Sequence, residues 1–286
     1  MNTSLSSLLP LASNQCKNKR CFAIDVGAHH GEFSRYLIQT ELFWKVLAFE
    51  PNMESYSKLS AKTLSKPNCT FKVINSALSS ESGTLDLYCD ADTATASLLR
   101  YGSDYLSRGS IKKQNVSVLT LDEYLDECPD LGRLLCLKID TQGNDLSVIG
   151  GGQRSISKHR PIIQTEFIYA PLYERQCSPA ELSDALFRLD YEMYSLNNLH
   201  VTPEGRLAFC DALFIPKELG IPFTQKYSCI DDQVSFQNQV NTLSNICAER
   251  LAVIEVLDAE VKRLSKIQVE TSLLNSMAKR IKSWVQ

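Results

Sequence analysis

"FAIDVGAHHGEFS", Phe22 to Ser34, places an acid and two glycines directly after an apolar run and before an amphipathic stretch. Worked outward from Gly27, "CFAIDV" is a strand, the glycine makes a tight turn, and "EFSRYLIQT" begins a helix. In a parallel sheet that junction lies at the carboxyl end of a strand, where open α/β folds bind their ligands. Gly27 can take positive φ and let a ligand approach the backbone, and Gly31 lets the helix start pack closely. Dinucleotide-binding loops read G-x-G-x-x-G and seat a pyrophosphate on the helix N-terminus. This loop reads D-x-G-x-x-x-G, and Asp25 in front of it repels a pyrophosphate but suits an ammonium group.

The second strand candidate ends in "LAFEPN", which puts Glu50 where a carboxylate accepts hydrogen bonds from a ribose diol. A ligand with a ribose, an ammonium and no phosphate satisfies both acids, and S-adenosylmethionine is such a ligand. The plainer alternative is that Asp25 and Glu50 are ordinary polar residues at strand ends. His29 and His30 sit inside the loop, but no Asp, Glu or Cys cluster of ligand spacing accompanies them. They read as loop residues or as hydrogen-bond partners of a cofactor, with metal ligation or base catalysis as the alternative. No metal is expected.

Farther out, "KVLAFE", "FKVINSA", "LLCLKID" and "PIIQTEF" repeat the pattern of near-continuous apolar runs alternating with amphipathic stretches. Such strands are buried on both faces, the signature of a parallel sheet covered by helices. "SPAEL" opens a helix with Ser178 as N-cap and Glu181 three residues beyond it. "YEMYSLN" and "RLAFCDALFIP" flank the turn-forming "NLHVTPEG" and read as a hairpin. The fold class is therefore α/β, a mostly parallel sheet with one reversed strand. Three segments follow: a flexible leader over 1–20, the α/β domain over 21–228, and a C-terminal segment over 229–286. That last stretch is free of Gly and Pro from Asp231 on, with apolar residues stepping by three and four from Val240 to Leu264, and reads as a long helix or coiled coil. It predicts a homo-oligomer or a partner enzyme docked through that helix.

The 286 residues carry a net charge of -3 with both signs interspersed, which argues against a nucleic-acid partner. The ten cysteines form no C-x-x-C pair, and several lie in apolar runs where a thiol acts as a small hydrophobe. With no cleavable signal and no apolar run near the ~20 residues of a membrane span, the expected location is the cytoplasm.

"DVGAHHGEFS", "LAFEPN", "VINSALSSESGTLDLY", "LKIDTQGNDLSVIGGG", "IIQTEF" and "DALFIP", in that order, resemble the FkbM family of S-adenosylmethionine-dependent methyltransferases. The resemblance implies a class I methyltransferase (Rossmann-like) fold with a seven-stranded sheet. By position it implies that Asp25, Gly27 and Gly31 line the methionine and sugar portions of the cofactor, that Glu50 holds the ribose, and that Ser76 and Ala77 lie near the adenine. The family loop often carries Asn and an aliphatic residue where His29 and His30 stand, and often Glu where Gln142 stands.

Methyl transfer from a sulfonium is an in-line displacement, so positioning comes first, and a base within reach of the acceptor hydroxyl helps. Asp140, at the end of the fourth strand, is the candidate base and Glu166, at the end of the fifth, the second. The alternative for Asp140 is a carboxylate capping the next helix. Lys138 is set to pair with Asp140 or the acceptor, or to sit as a solvated rim residue. Ser97 and Arg100, in the segment after the third strand, are weaker candidates for acceptor contacts. The expected activity is O-methylation of a sugar hydroxyl in polysaccharide or glycolipid assembly. Two alternatives stay open: a polyketide-type acceptor, and a non-catalytic cofactor-binding scaffold. A nicotinamide dehydrogenase fails on the missing second glycine of its loop.

Overall fold

A computed structural model describes residues 3–14, 20–62, 64–91, 93–103 and 111–220 of the chain. The expected C-terminal helix or coiled coil over 229–286 lies outside the described residues.

The strands, in chain order, are β1 (Cys21–Val26), β2 (Lys45–Phe49), β3 (Thr70–Ile74), β4 (Ala77–Leu78), β5 (Gly83–Cys89), β6 (Lys112–Leu119), β7 (Arg133–Ile139), β8 (Ile162–Ile168), β9 (Tyr191–Val201) and β10 (Leu207–Pro216). Seven of them form one sheet in the order β3-β2-β1-β7-β8-β10-β9. All pairs from β3 to β8 are parallel, and β10 alone is reversed. Every residue of β1 is buried, as are all but two of β7, which is why those runs are apolar almost without interruption. The chain winds from β1 out to β3 and then returns to β7 on the other side of β1. Loops leaving β1 and β7 therefore diverge, and a crevice opens between them at the carboxyl ends of the strands.

The helices are α1 (Thr3–Asn14), α2 (Glu32–Gln39), α3 (Met53–Ser60), α4 (Leu121–Asp126), α5 (Asp145–Gly150), α6 (Gln153–His159) and α7 (Pro179–Arg188). The α7 start is the capping box that the sequence spells: Glu181 N–H donates to Ser178 Oγ, and the Glu181 carboxylate accepts from Ser178 N–H at 2.8 Å. Helix α1 corrects the expectation of a flexible leader over 1–20. Leu5, Leu8, Leu9 and Ala12 are buried, and α1 packs against β7. Their i, i+3, i+4, i+7 spacing makes one apolar stripe that outweighs the breaking tendency of Pro10, which faces solvent.

Two further differences concern β structure. A separate three-stranded sheet, β4-β6-β5, has its own small core of Ala77, Leu87, Cys89, Val116 and Val118. In the last hairpin β9 runs on to Val201, through the first half of the stretch expected to turn, with Asn198 absorbing an irregularity at positive φ, and the turn closes over the second half, with Thr202 N–H on Arg206 O.

Candidate active site

The crevice holds a cavity of about 340 Å³ walled by the β1, β2 and β7 loops and roofed by residues of the second sheet and the segment after β5. That is the size of a small-ligand site. Gly27, Glu50, Ser76, Ala77 and Asp140 line it, together with Phe49, Leu78 and Leu87 on its apolar side.

The loop after β1 is built by contacts of the backbone. Gly27, at φ 74°, turns the chain so that its N–H and that of Ala28 both donate to Phe49 O. A Cβ at Gly27 would stand 1.9 Å from Asp140 O, so the glycine is required by the neighbouring β7 loop as much as by a ligand. Gly31, at φ 78°, caps α2 and packs on Leu59, where a Cβ would come within 2.4 Å of the side chain. It packs closely against α3 and does not line the cavity, unlike the cofactor-lining place that the resemblance implies for it.

Glu50 is buried at the end of β2, with Oε2 accepting from His29 N–H at 2.6 Å and Oε1 from Asn52 N–H at 2.8 Å. Burial nevertheless pushes the carboxyl up to about 7, partly offset by those two N–H groups and by Lys138. His29, at φ 46°, also joins its ring Nε2 to Thr93 Oγ1 at 2.9 Å, tying the loop to the roof, and stacks on His30 at 3.7 Å. Among the described residues no group of three or more His, Cys, Asp or Glu is arranged to hold a metal ion.

Asp25 is fully buried and does not line the cavity. It sits one residue short of the strand end, beside the cavity-lining Lys138 on the neighbouring strand. Ser34 Oγ donates to its Oδ2 at 2.7 Å, and its Oδ1 lies 3.6 Å from Lys138 Nζ. Lys138 is its register partner on β7, and Lys138 does line the cavity. Its ammonium also donates to Asp140 Oδ2 at 3.1 Å. Burial pulls the Lys138 pKa down, but Asp140 and Asp25 outweigh it and hold the side chain as a cation. So Lys138 is no solvated rim residue. The signal was present: two buried neighbouring strands each carry a charge second from the end, of opposite sign.

Asp140 does not cap a helix. Its Oδ1 accepts from Gln142 Nε2 at 2.9 Å, while the β7–α5 loop is organised by buried Asp145, which accepts from Thr141 N–H at 2.9 Å, Thr165 Oγ1 at 2.7 Å and Glu166 N–H at 3.1 Å. Glu166 stands behind the wall and accepts from the same Gln142 Nε2 at 2.9 Å. Burial first, then the charges of Asp140, Asp145 and Asp211, push the Glu166 carboxyl well above the usual carboxylate range. Ser97 lines the cavity and donates to Gln142 O at 2.8 Å, whereas Arg100 is away from the cavity, its Nε donating to Tyr88 OH. Sequence reasoning missed Thr93 and Tyr173, which neither periodicity nor spacing marks.

These residues fit S-adenosylmethionine in part. A buried carboxylate faces a cavity with apolar walls suited to a nucleoside, whereas the ammonium partner expected at Asp25 is screened by Lys138.

The family model described as "Methyltransferase FkbM domain" matches residues 25–193. Among solved structures, an FkbM methyltransferase from Methylobacillus flagellatus KT is 18% identical with a TM-score of 0.42, covering 68% of this chain and 43% of its own. This chain thus spans less than half of that protein's length. Magnesium protoporphyrin IX methyltransferase from Synechocystis PCC 6803, solved with bound S-adenosylmethionine, is 9% identical with a TM-score of 0.38, covering 73% of this chain and 77% of its own. An rRNA methylase from Streptococcus thermophilus is 8% identical with a TM-score of 0.40, covering 76% and 98%. No curated protein matches the chain significantly.

Proposed function

The chain belongs to the FkbM methyltransferase family, and from that premise we propose that it is an S-adenosylmethionine-dependent O-methyltransferase acting on a sugar hydroxyl in polysaccharide or glycolipid assembly. The observation that carries the reading is the single cavity wall on which Glu50 and Asp140 both lie, one at the end of β2 and one after β7. When bound, S-adenosylmethionine supplies an electrophilic methyl whose carbon bonds to the acceptor oxygen as sulfur keeps the electron pair of the broken C–S bond. In this reading Glu50 accepts the ribose hydroxyls, Ala77, Leu78 and Leu87 cover the base, and Gly27 leaves the backbone open to the sugar. Asp140 takes the acceptor proton. Lys138 holds one oxygen of that carboxylate, so its direction is fixed before the acceptor arrives.

The acceptor class is supported by the polar end of the cavity. Lys138, Asp140, Thr141, Gln142 and Ser97 crowd there, hydrogen-bonded to one another or to buried acids behind them, and the Asp140 carboxylate keeps lone pairs that an acceptor hydroxyl can donate to where an apolar polyketide offers no donor.

Calorimetric titration with S-adenosylhomocysteine and with NAD tests the cofactor: the first binds and the second does not. Asp140→Asn retains S-adenosylhomocysteine binding within about twofold and loses about 100-fold or more in turnover on a panel of glycan acceptors. An unchanged rate in that variant removes Asp140 as the base.

A further inference from the structure

The Gln142 side chain stands at φ 55° in the loop after β7, and every polar atom it carries is used. Its Nε2 donates to Asp140 Oδ1 and to Glu166 Oε2, both at 2.9 Å. Its Oε1 lies 2.8 Å from Tyr173 OH. Tyr101 OH and Tyr173 OH both stand 2.9 Å from Thr95 O, so it is the acids that fix the amide: flipped, it would turn its oxygen toward the Asp140 carboxylate. With Nε2 on the acids, Oε1 faces the phenol, and Tyr173 gives it its one proton. Tyr173 is itself anchored, since Tyr101 and Tyr173 form an antiparallel bridge with their rings 5.4 Å apart.

We propose that Gln142, locked by Tyr173, is a positioning residue for methyl transfer: its amide ties Asp140 on the cavity wall to Glu166 behind it and keeps Asp140 aimed at the acceptor. The inference rests on the methyltransferase reading for the role of Asp140. Between them Gln142 and Lys138 grip both Asp140 oxygens, each by one lone-pair direction, and leave the remaining directions for an acceptor hydroxyl. A glutamate at position 142 could not do this, since it would set a third acid against two others. The neutral amide is thus a feature of how this chain runs the site.

The charged and titratable groups facing the pair come from every neighbouring strand: Asp25 on β1, Lys138 on β7, Asp145 on α5, and Asp211 on β10 with His200 of β9 beyond it. All remain in place in a variant confined to Gln142 or Tyr173, so a change in titration reports the amide alone.

The test is a carbon-13 carboxyl titration of Glu166 in the full-length chain saturated with S-adenosylhomocysteine, paired with kinetics on the best glycan acceptor. Gln142→Met removes the amide at nearly constant length and is expected to raise the Glu166 midpoint by about half a pH unit or more. Tyr173→Phe leaves the amide but frees it to rotate, and is expected to move the midpoint in the same direction by less. In both variants kcat falls, about tenfold or more for Gln142→Met, with the KM for the methyl donor within about twofold. A Glu166 midpoint that stays put in both variants, or an unchanged kcat, overturns the proposal. If S-adenosylhomocysteine does not bind the wild-type chain, the methyltransferase reading fails instead, and the titration of the unliganded chain still decides whether the amide couples the two acids.

Discussion

Burial pushes the Glu50 carboxyl up to about 7 although two backbone N–H groups point at it, so near neutral pH the pocket holds a mixture of acid and anion. A ligand that donates hydroxyls selects the anion. Its binding therefore expels a proton, and affinity for S-adenosylhomocysteine rises about tenfold from pH 6 to pH 8 and flattens above. Calorimetry across that range checks this, and Glu50→Gln should flatten the profile at the weaker end. The same residue carries a stability consequence of opposite sign. Its folded pKa lies above the ordinary 4.5, so the fold prefers the protonated form: this contribution is fully present below about 4.5 and is lost as pH rises through about 7. At pH 8 the buried anion costs about 3 kcal/mol. Glu50→Gln recovers part of that, since its amide nitrogen then faces a backbone N–H, and a net gain of about 1–2 kcal/mol is expected in chemical denaturation.

At the scale of elements, the loops after β1 and β7 are one construction, because Gly27 admits the Asp140 carbonyl and Asp140 N–H donates to Val26 O at 3.0 Å. Gly27→Ala strains a positive φ and forces the two loops apart, with an expected loss of about 2–4 kcal/mol in stability, read by denaturation, together with loss of ligand binding. β1, β2, β7 and β8 were legible in the sequence because burial on both faces writes itself as unbroken apolar runs; β3, read from the same pattern, is an edge strand with no buried residue. Glu50, Asp140 and the glycines were legible because they end such runs. The second sheet was not. In β6, "KKQNVSVL", only Val116 and Val118 are buried, and β4 is two residues long, so neither offers a run to detect. The placement of Asp25 was missed for a different reason: its partner Lys138 comes from β7, more than a hundred residues along the chain, and cross-strand register is not written in either run alone.

Across the whole molecule, α1 makes the chain's first turns part of the core. A chain lacking residues 1–19 uncovers the surface that Leu5, Leu8 and Leu9 bury against the β7 region, each worth about 1.5–3 kcal/mol. Thermal unfolding should drop by about 10 °C, while a tagged but intact N-terminus leaves it unchanged. The stripe was there to be seen, and the proline within it concealed it. No helix among the described residues is long and apolar enough to cross a membrane.

The roof over the cavity hangs from a sheet with its own interior, and the floor from another. Substitutions that reshape one can accumulate without loosening the other, as long as Thr93 still meets His29 and Ser97 still meets Gln142. A chain divided in this way can rewrite the roof segment that carries Thr93 and Ser97 while Ala77, Leu78 and Leu87 of the second sheet keep their places on the cavity wall.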